Sequence, residues 1–176
     1  MSVSTDIAAM YRRPAEVLRR LLSREVSEPR ALAYLMGACA LMFVARLPAL
    51  SREVSLSDPE RWAREPGAYS EALQPVMGGT LLATLIFLPL IFYVIAFVVQ
   101  IILRAFGRKL GGYDMRLVLF WSLLAAAPLA LLNGLTAGFV GPGPALTIVG
   151  VLWFAVLLWF VATGVREAHR LAGESA

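Results

Sequence analysis

The chain has 176 residues, 59% of them apolar and only 16% charged, with a formal net charge of +4. Ordinary soluble domains carry about a quarter charged residues, so this composition excludes that class and indicates a single membrane domain. The sixteen Lys and Arg surround the apolar stretches instead of gathering on one face, which speaks against nucleic acid as a partner, and the one cysteine, Cys39, rules out an internal disulfide.

Residues 1–30 hold six arginines and four acids with no apolar run ahead of Ala31, so no cleavable signal peptide is expected and targeting falls to the first span. Within this segment Ile7, Met10, Tyr11, Val17, Leu18, Leu21 and Leu22 recur at helical spacing, with Arg12, Arg13, Arg19 and Arg20 between them. Pro14 suits a first helical position and Glu16 a first turn. The pattern predicts a basic amphipathic helix lying on the membrane surface, with a solvated tail as the alternative.

The first span is predicted over about 31–50. Its one charge, Arg46, lies near the far end, where its stem can snorkel toward headgroups. In the long loop that follows, Asp58-Pro59-Glu60 has the form of a helix start, predicting a short surface helix over Asp58–Glu65 that Pro66-Gly67 ends. Trp62 and Tyr69 are expected at headgroup depth. The second span is placed over about 78–103. From Leu117 to Val165 no Asp, Glu, Lys, Arg or His occurs, a run that would measure roughly 74 Å as one helix and so must fold back. Gly141-Pro142-Gly143-Pro144 supplies the turn, giving a third span over about 115–139 and a fourth over about 145–165. The remaining 166–176 form a polar tail whose single histidine, His169, is expected in solvent. The fold class is therefore all-α: a polytopic transmembrane bundle of four spans with an N-terminal interfacial amphipathic helix.

Charge placement orients the bundle. The N-terminal segment, the loop with Arg104, Arg108, Lys109 and Arg116, and the tail together carry twelve of the sixteen basic residues on one side. The positive-inside rule then puts both termini in the cytoplasm, with these arginines facing the anionic headgroups of the bilayer.

Polar residues inside spans mark ion paths and catalysis, because lipid penalises them unless they are used or paired. Arg46, Thr80, Thr84, Gln100, Ser122, Asn133, Thr136, Thr147 and Thr163 make up that inventory, and no span contains a carboxylate. This weighs against proton-coupled transport. The zinc-protease helix, the P-loop and the Gly-x-Ser-x-Gly elbow are all missing, so no catalytic, metal or cofactor residue is predicted and the chain reads as a non-enzyme. The spans do carry packing signals. Ala126, Ala130, Gly134 and Gly138 form a small-residue ladder on span three, and Ala33 and Gly37 form a shorter one on span one. Such residues let helix backbones approach closely, which places span three at the centre; ordinary Ala and Gly enrichment in membrane helices is the alternative. Pro89 and Pro128 are expected to kink spans two and three.

Gly111-Gly112-Tyr113-Asp114-Met115-Arg116, followed by a span with Pro128 in its middle, resembles the central signature of the Yip1 family. The closing span and its exit Arg166-Glu167-Ala168-His169-Arg170-Leu171 are similar to that family as well, and the arrangement especially resembles its small bacterial members. Five spans are common there, against four here. The resemblance implies a multi-pass protein of the bacterial inner membrane and offers no catalytic residue. With the ladder, it gives the expected function: a non-enzymatic protein acting through helix-helix contacts with itself or another membrane protein, in membrane organisation or complex assembly. A transporter or channel subunit for an apolar or zwitterionic solute is the second reading, distinguished by a cavity that reaches Asn133 or Gln100.

Overall fold

A computed structural model describes residues 2–105, 107 and 111–174 of the chain. Arg108 and Lys109, expected at the headgroups, lie outside the described residues, as do Ser175 and Ala176 of the predicted tail. Every regular element among the described residues is helical: α1 (Val3–Met10), α2 (Pro14–Leu22), α3 (Glu28–Ser57), α4 (Pro59–Arg64), α5 (Ala68–Leu82), α6 (Leu88–Ala105), α7 (Gly112–Ala125), α8 (Ala127–Leu135) and α9 (Pro144–Glu174). Two π-helical turns, Ala83–Phe87 and Thr136–Val140, join α5 to α6 and extend α8.

Three helices are long and apolar enough to cross a membrane: α3, the continuous Ala68–Ala105, and α9. The bent pair α7–α8 passes the same test only when its two helices are counted together, as one span broken at Pro128. Contacts set their directions. Tyr34 meets Trp121, Gly37 lies beside Leu124, Ala45 beside Gly134 and Pro48 beside Gly138, so α3 and α7–α8 advance together and are parallel. Tyr93 meets Phe120 and Gln100 lies beside Gly112, so α6 runs the opposite way. Both termini and the start of α7 therefore share one end of the bundle, called the terminal end below.

The helices outrun the apolar stretches that predict them. α3 continues past 50 because nothing breaks it until Asp58, which Pro59 forces out of helical conformation. Asp58 then caps α4, accepting from Arg61 N at 3.2 Å, with Pro59 at its first position as the sequence predicts. α9 likewise runs on through the predicted tail to Glu174.

The two prolines act differently. Pro89 has no N–H for the carbonyl of Leu85, and just before it the chain widens into the turn Ala83–Phe87, closed by Leu88 N–H on Ala83 O, after which the helix continues. Pro128 accompanies a sharp bend: α7 and α8 meet at 41°.

The core surrounds α7, where every residue from Leu117 to Ala127 is buried. A helix that is apolar all round belongs in such a position. Trp121 and Phe120 meet the rings of Tyr34 and Tyr93 edge-on at 4.8 and 4.9 Å, fastening α3 and α6 to this centre. By contrast, α6 turns Leu90, Val94, Phe97 and Ile101 outward.

Candidate functional site

The bend at Pro128 organises the molecule. Leu129 and Ala130 N–H groups both bond Ala126 O, which leaves the carbonyl of Ala125 without its usual helical donor. Tyr11 supplies one, its hydroxyl donating to Ala125 O at 3.0 Å while its ring meets Phe160 edge-on at 5.3 Å. Burial pushes the Tyr11 hydroxyl above its ordinary pKa of 10.0, which keeps it a donor.

Tyr11 sits between α1 and α2, which fold as a hairpin against α7 and α9 at the terminal end. Pro14 occupies the first turn of α2 with Glu16 behind it, as predicted. The expected resting place of the apolar face needs correction. Met10, Val17, Leu18 and Leu21 are buried against protein, so that face is not free to lie in lipid. The reason is in α9, whose apolar period continues beyond 165 through Ala168 and presents a protein surface for α2 to cover. Ion pairs seal the edges: Arg19 reaches the buried Glu167 at 2.9 Å, Arg170 reaches the same carboxylate at 3.1 Å, and Arg20 meets the buried Asp6 at 2.5 Å. Glu167 escapes a sequence reading that ends the bundle at 165, although Val165 and Ala168 continue the helical spacing that would have found it. His169 is exposed, as expected.

Of the basic residues expected at headgroups, Arg12 and Arg13 are exposed at the hairpin tip, Arg13 within 3.6 Å of Glu16. Arg116 pairs with Glu28, tying α7 to α3, and Tyr113 OH donates to Ser27 O at 3.4 Å. Gln100 faces Gly112, and the amide orientation that satisfies its neighbours places the oxygen on Gly112 N at 3.3 Å and Arg104 Nη2 at 2.9 Å. It thereby serves one of the unpaired N–H groups at the start of α7. At the opposite end Trp62 Nε1 donates to Val54 O at 3.0 Å, Tyr69 OH lies 2.9 Å from Ser51 Oγ, and the two rings meet at 6.1 Å. Both polar tips thus bond the end of α3.

The two glycines of the span-three ladder face α3. A Cβ on Gly134 would collide with the carbonyl of Ala45, and one on Gly138 with Pro48; Ala126 is fully buried and Ala130 partly. On α3, Ala33 is exposed, and a Cβ on Gly37 would lie 3.6 Å from Leu124, in ordinary contact. The glycine half of the long ladder is therefore occupied within the chain, while Ala130 lines the cavity described next.

Because α8 leans toward α3 and α9 while α6 follows α7, a cavity of about 640 Å³ opens between them. Arg46, Thr80, Thr84 and Asn133 line it, with Phe87, Ile91, Phe92 and Trp153 among its apolar walls. Asn133 Nδ2 donates to Leu146 O at 3.4 Å. Arg46 makes no hydrogen bond or ion pair with the described residues. The cavity reaches Asn133 but not Gln100, which is engaged at the terminal end. Among the described residues no group of three or more His, Cys, Asp and Glu is placed to hold a metal.

A family model described as Yip1 domain matches residues 8–176, nearly the whole chain. Searches of curated proteins and of solved structures found no match. The Gly111-Gly112-Tyr113 turn that carries the resemblance opens the buried α7, and Pro128 within the same span bends it. This multi-pass membrane protein belongs to the Yip1 family.

Proposed function

We propose that the chain works without catalysis, through lateral contacts between its outward helix faces and a second copy of itself or another membrane protein, in membrane organisation or complex assembly. The observation that supports this reading is the exposure of the second span: only 11% of its most apolar stretch is buried inside the protein, a share that α9 matches, and the second span adds open glycines to it. That surface includes Gly78 and Gly79, where a Cβ would meet nothing within 4 Å, so a helix could approach closely there. Since the glycine half of the ladder on α7–α8 is occupied by α3, the contact surface moves to α5 and α6. The reading further takes the terminal end as cytoplasmic, by the positive-inside rule, and the membrane as the bacterial inner membrane. The hairpin's outward arginines, Arg12 and Arg13, then face anionic headgroups.

The test is the mass of the purified full chain in mild detergent, paired with crosslinking in intact membranes. A dimer, or a stoichiometric membrane partner captured from the α5–α6 face, is expected. A chain that is monomeric in both settings overturns the proposal.

A further inference from the structure

Arg46 is a cation inside a membrane-spanning helix for which the described residues provide no ion-pair partner. It lies about 7.5 Å along α3 from Ser51 and about 27 Å from Glu28, at 1.5 Å per residue, hence in the half of the bundle away from the termini. Intramembrane ionisable groups normally pair or serve a site, because an unpaired charge is costly in lipid. Among the described residues no carboxylate pairs with Arg46, and the nearest one along its own helix, Glu53, is about 10.5 Å away at 1.5 Å per residue, which points to an anion from outside the chain. The cavity indicates its source. Its volume of about 640 Å³ falls within the roughly 300–1,000 Å³ of small-molecule sites. Phe87 and Ile91 line it and are also 62% and 50% exposed on the outer surface, so it opens sideways toward lipid.

We infer that this cleft binds an anionic phospholipid, its phosphate on Arg46 and one acyl chain along Phe87, Ile91 and Phe92. The headgroup end has a guanidinium fork, suited to phosphate oxygens, with Thr80 on the same lining. The wall below is aromatic and aliphatic. A lateral opening lets one chain enter while the other stays in the bilayer, and the cleft's net positive charge favours a lipid with net negative charge. The bend at Pro128 creates the space by carrying α8 away from α6.

The experiment uses the full chain in phosphatidylcholine vesicles containing phosphatidylglycerol with a photoactivatable acyl chain, followed by peptide mapping. Labelling of the Phe87–Phe92 segment is expected, competed by unlabelled phosphatidylglycerol. Arg46→Gln should lower it about tenfold, the worth of about 1.4 kcal/mol, while Arg46→Lys keeps most of it. Arg46→Gln removes an unpaired charge from a span and should leave the elution volume unchanged. Ile91→Trp, at an exposed position on the cleft wall, should block labelling with Arg46 intact. Equal labelling in wild type and Arg46→Gln, persistence in Ile91→Trp, or displacement by oleate but not by phosphatidylglycerol would overturn the proposal.

Discussion

Gly134 and Gly79 look alike in the sequence, yet the structure gives them opposite values, and replacing each by alanine separates the two. At Gly134 the new methyl would fall on the backbone carbonyl of Ala45, which can move only if α3 and α8 part. Overpacking of this kind costs about 1–3 kcal/mol. The better helix propensity of alanine returns roughly 0.5–1 kcal/mol; with the methyl falling on backbone, the cost lies at the upper end of its range and the net loss is about 2–2.5 kcal/mol, or a factor of about 30–70 in the folding equilibrium. At Gly79 no atom of the same chain lies within 4 Å, so in protein diluted to the monomer Gly79→Ala keeps only the propensity gain, up to about 1 kcal/mol. The assay is reversible unfolding in mixed micelles, followed by circular dichroism. Gly134→Ala should lower the midpoint and Gly79→Ala should hold or raise it. Equal shifts in the same direction would refute the claim that the glycine half of the ladder is occupied by α3.

Three further outcomes follow from the terminal end. Arg19→Ala leaves the buried Glu167 with Arg170 alone, so trypsin should cut the α1–α2 hairpin from membranes several times faster; with Arg19 half exposed, the cost is held to about 1 kcal/mol. Glu167→Gln, which strands no buried charge, should be milder. Tyr11→Phe removes the bond to Ala125 O and should cost about 0.5–1.5 kcal/mol of hairpin docking. Because burial raises the Tyr11 pKa, its contribution is fully present below about pH 10 and is lost as pH rises through the raised folded value; proteolysis of wild type across that window should converge on Tyr11→Phe, whose own rate stays flat. Gln100→Leu should loosen the start of α7, seen as faster amide exchange at Gly112 and Tyr113 with exchange at Phe120 unchanged.

The apolar runs, the turn at Gly141 and the cap at Asp58 were legible because each rests on local chemistry: hydropathy over some twenty residues, backbone freedom at glycine, and an N-cap followed by proline. Gly141 does adopt φ 89°. The central position of span three was legible too, from the ladder of small residues that ends in Gly134 and Gly138. What the helices meet was harder to read. A basic amphipathic pattern says that α2 has an apolar face, and the same pattern serves lipid and protein equally; only the continuation of α9 through Ala168 decides between them. Gln100 and Arg46 have similar standing in sequence, as polar residues near span ends. Gln100 is engaged by Gly112 and Arg104, whereas Arg46 is left on a cavity wall, and this difference depends on where a bend at Pro128 sends α8.

The central claim, that this Yip1-family bundle works through the outward face of its second span, is tested most directly by disulfide crosslinking in intact membranes. In a Cys39→Ala background, single cysteines would be introduced by Leu82→Cys and Ile86→Cys on that exposed face and by Leu123→Cys in the buried core. A discrete crosslinked species from Leu82→Cys or Ile86→Cys, with none from Leu123→Cys, is the result predicted. Monomer alone from both outward positions, under conditions that crosslink a known membrane dimer, would contradict it.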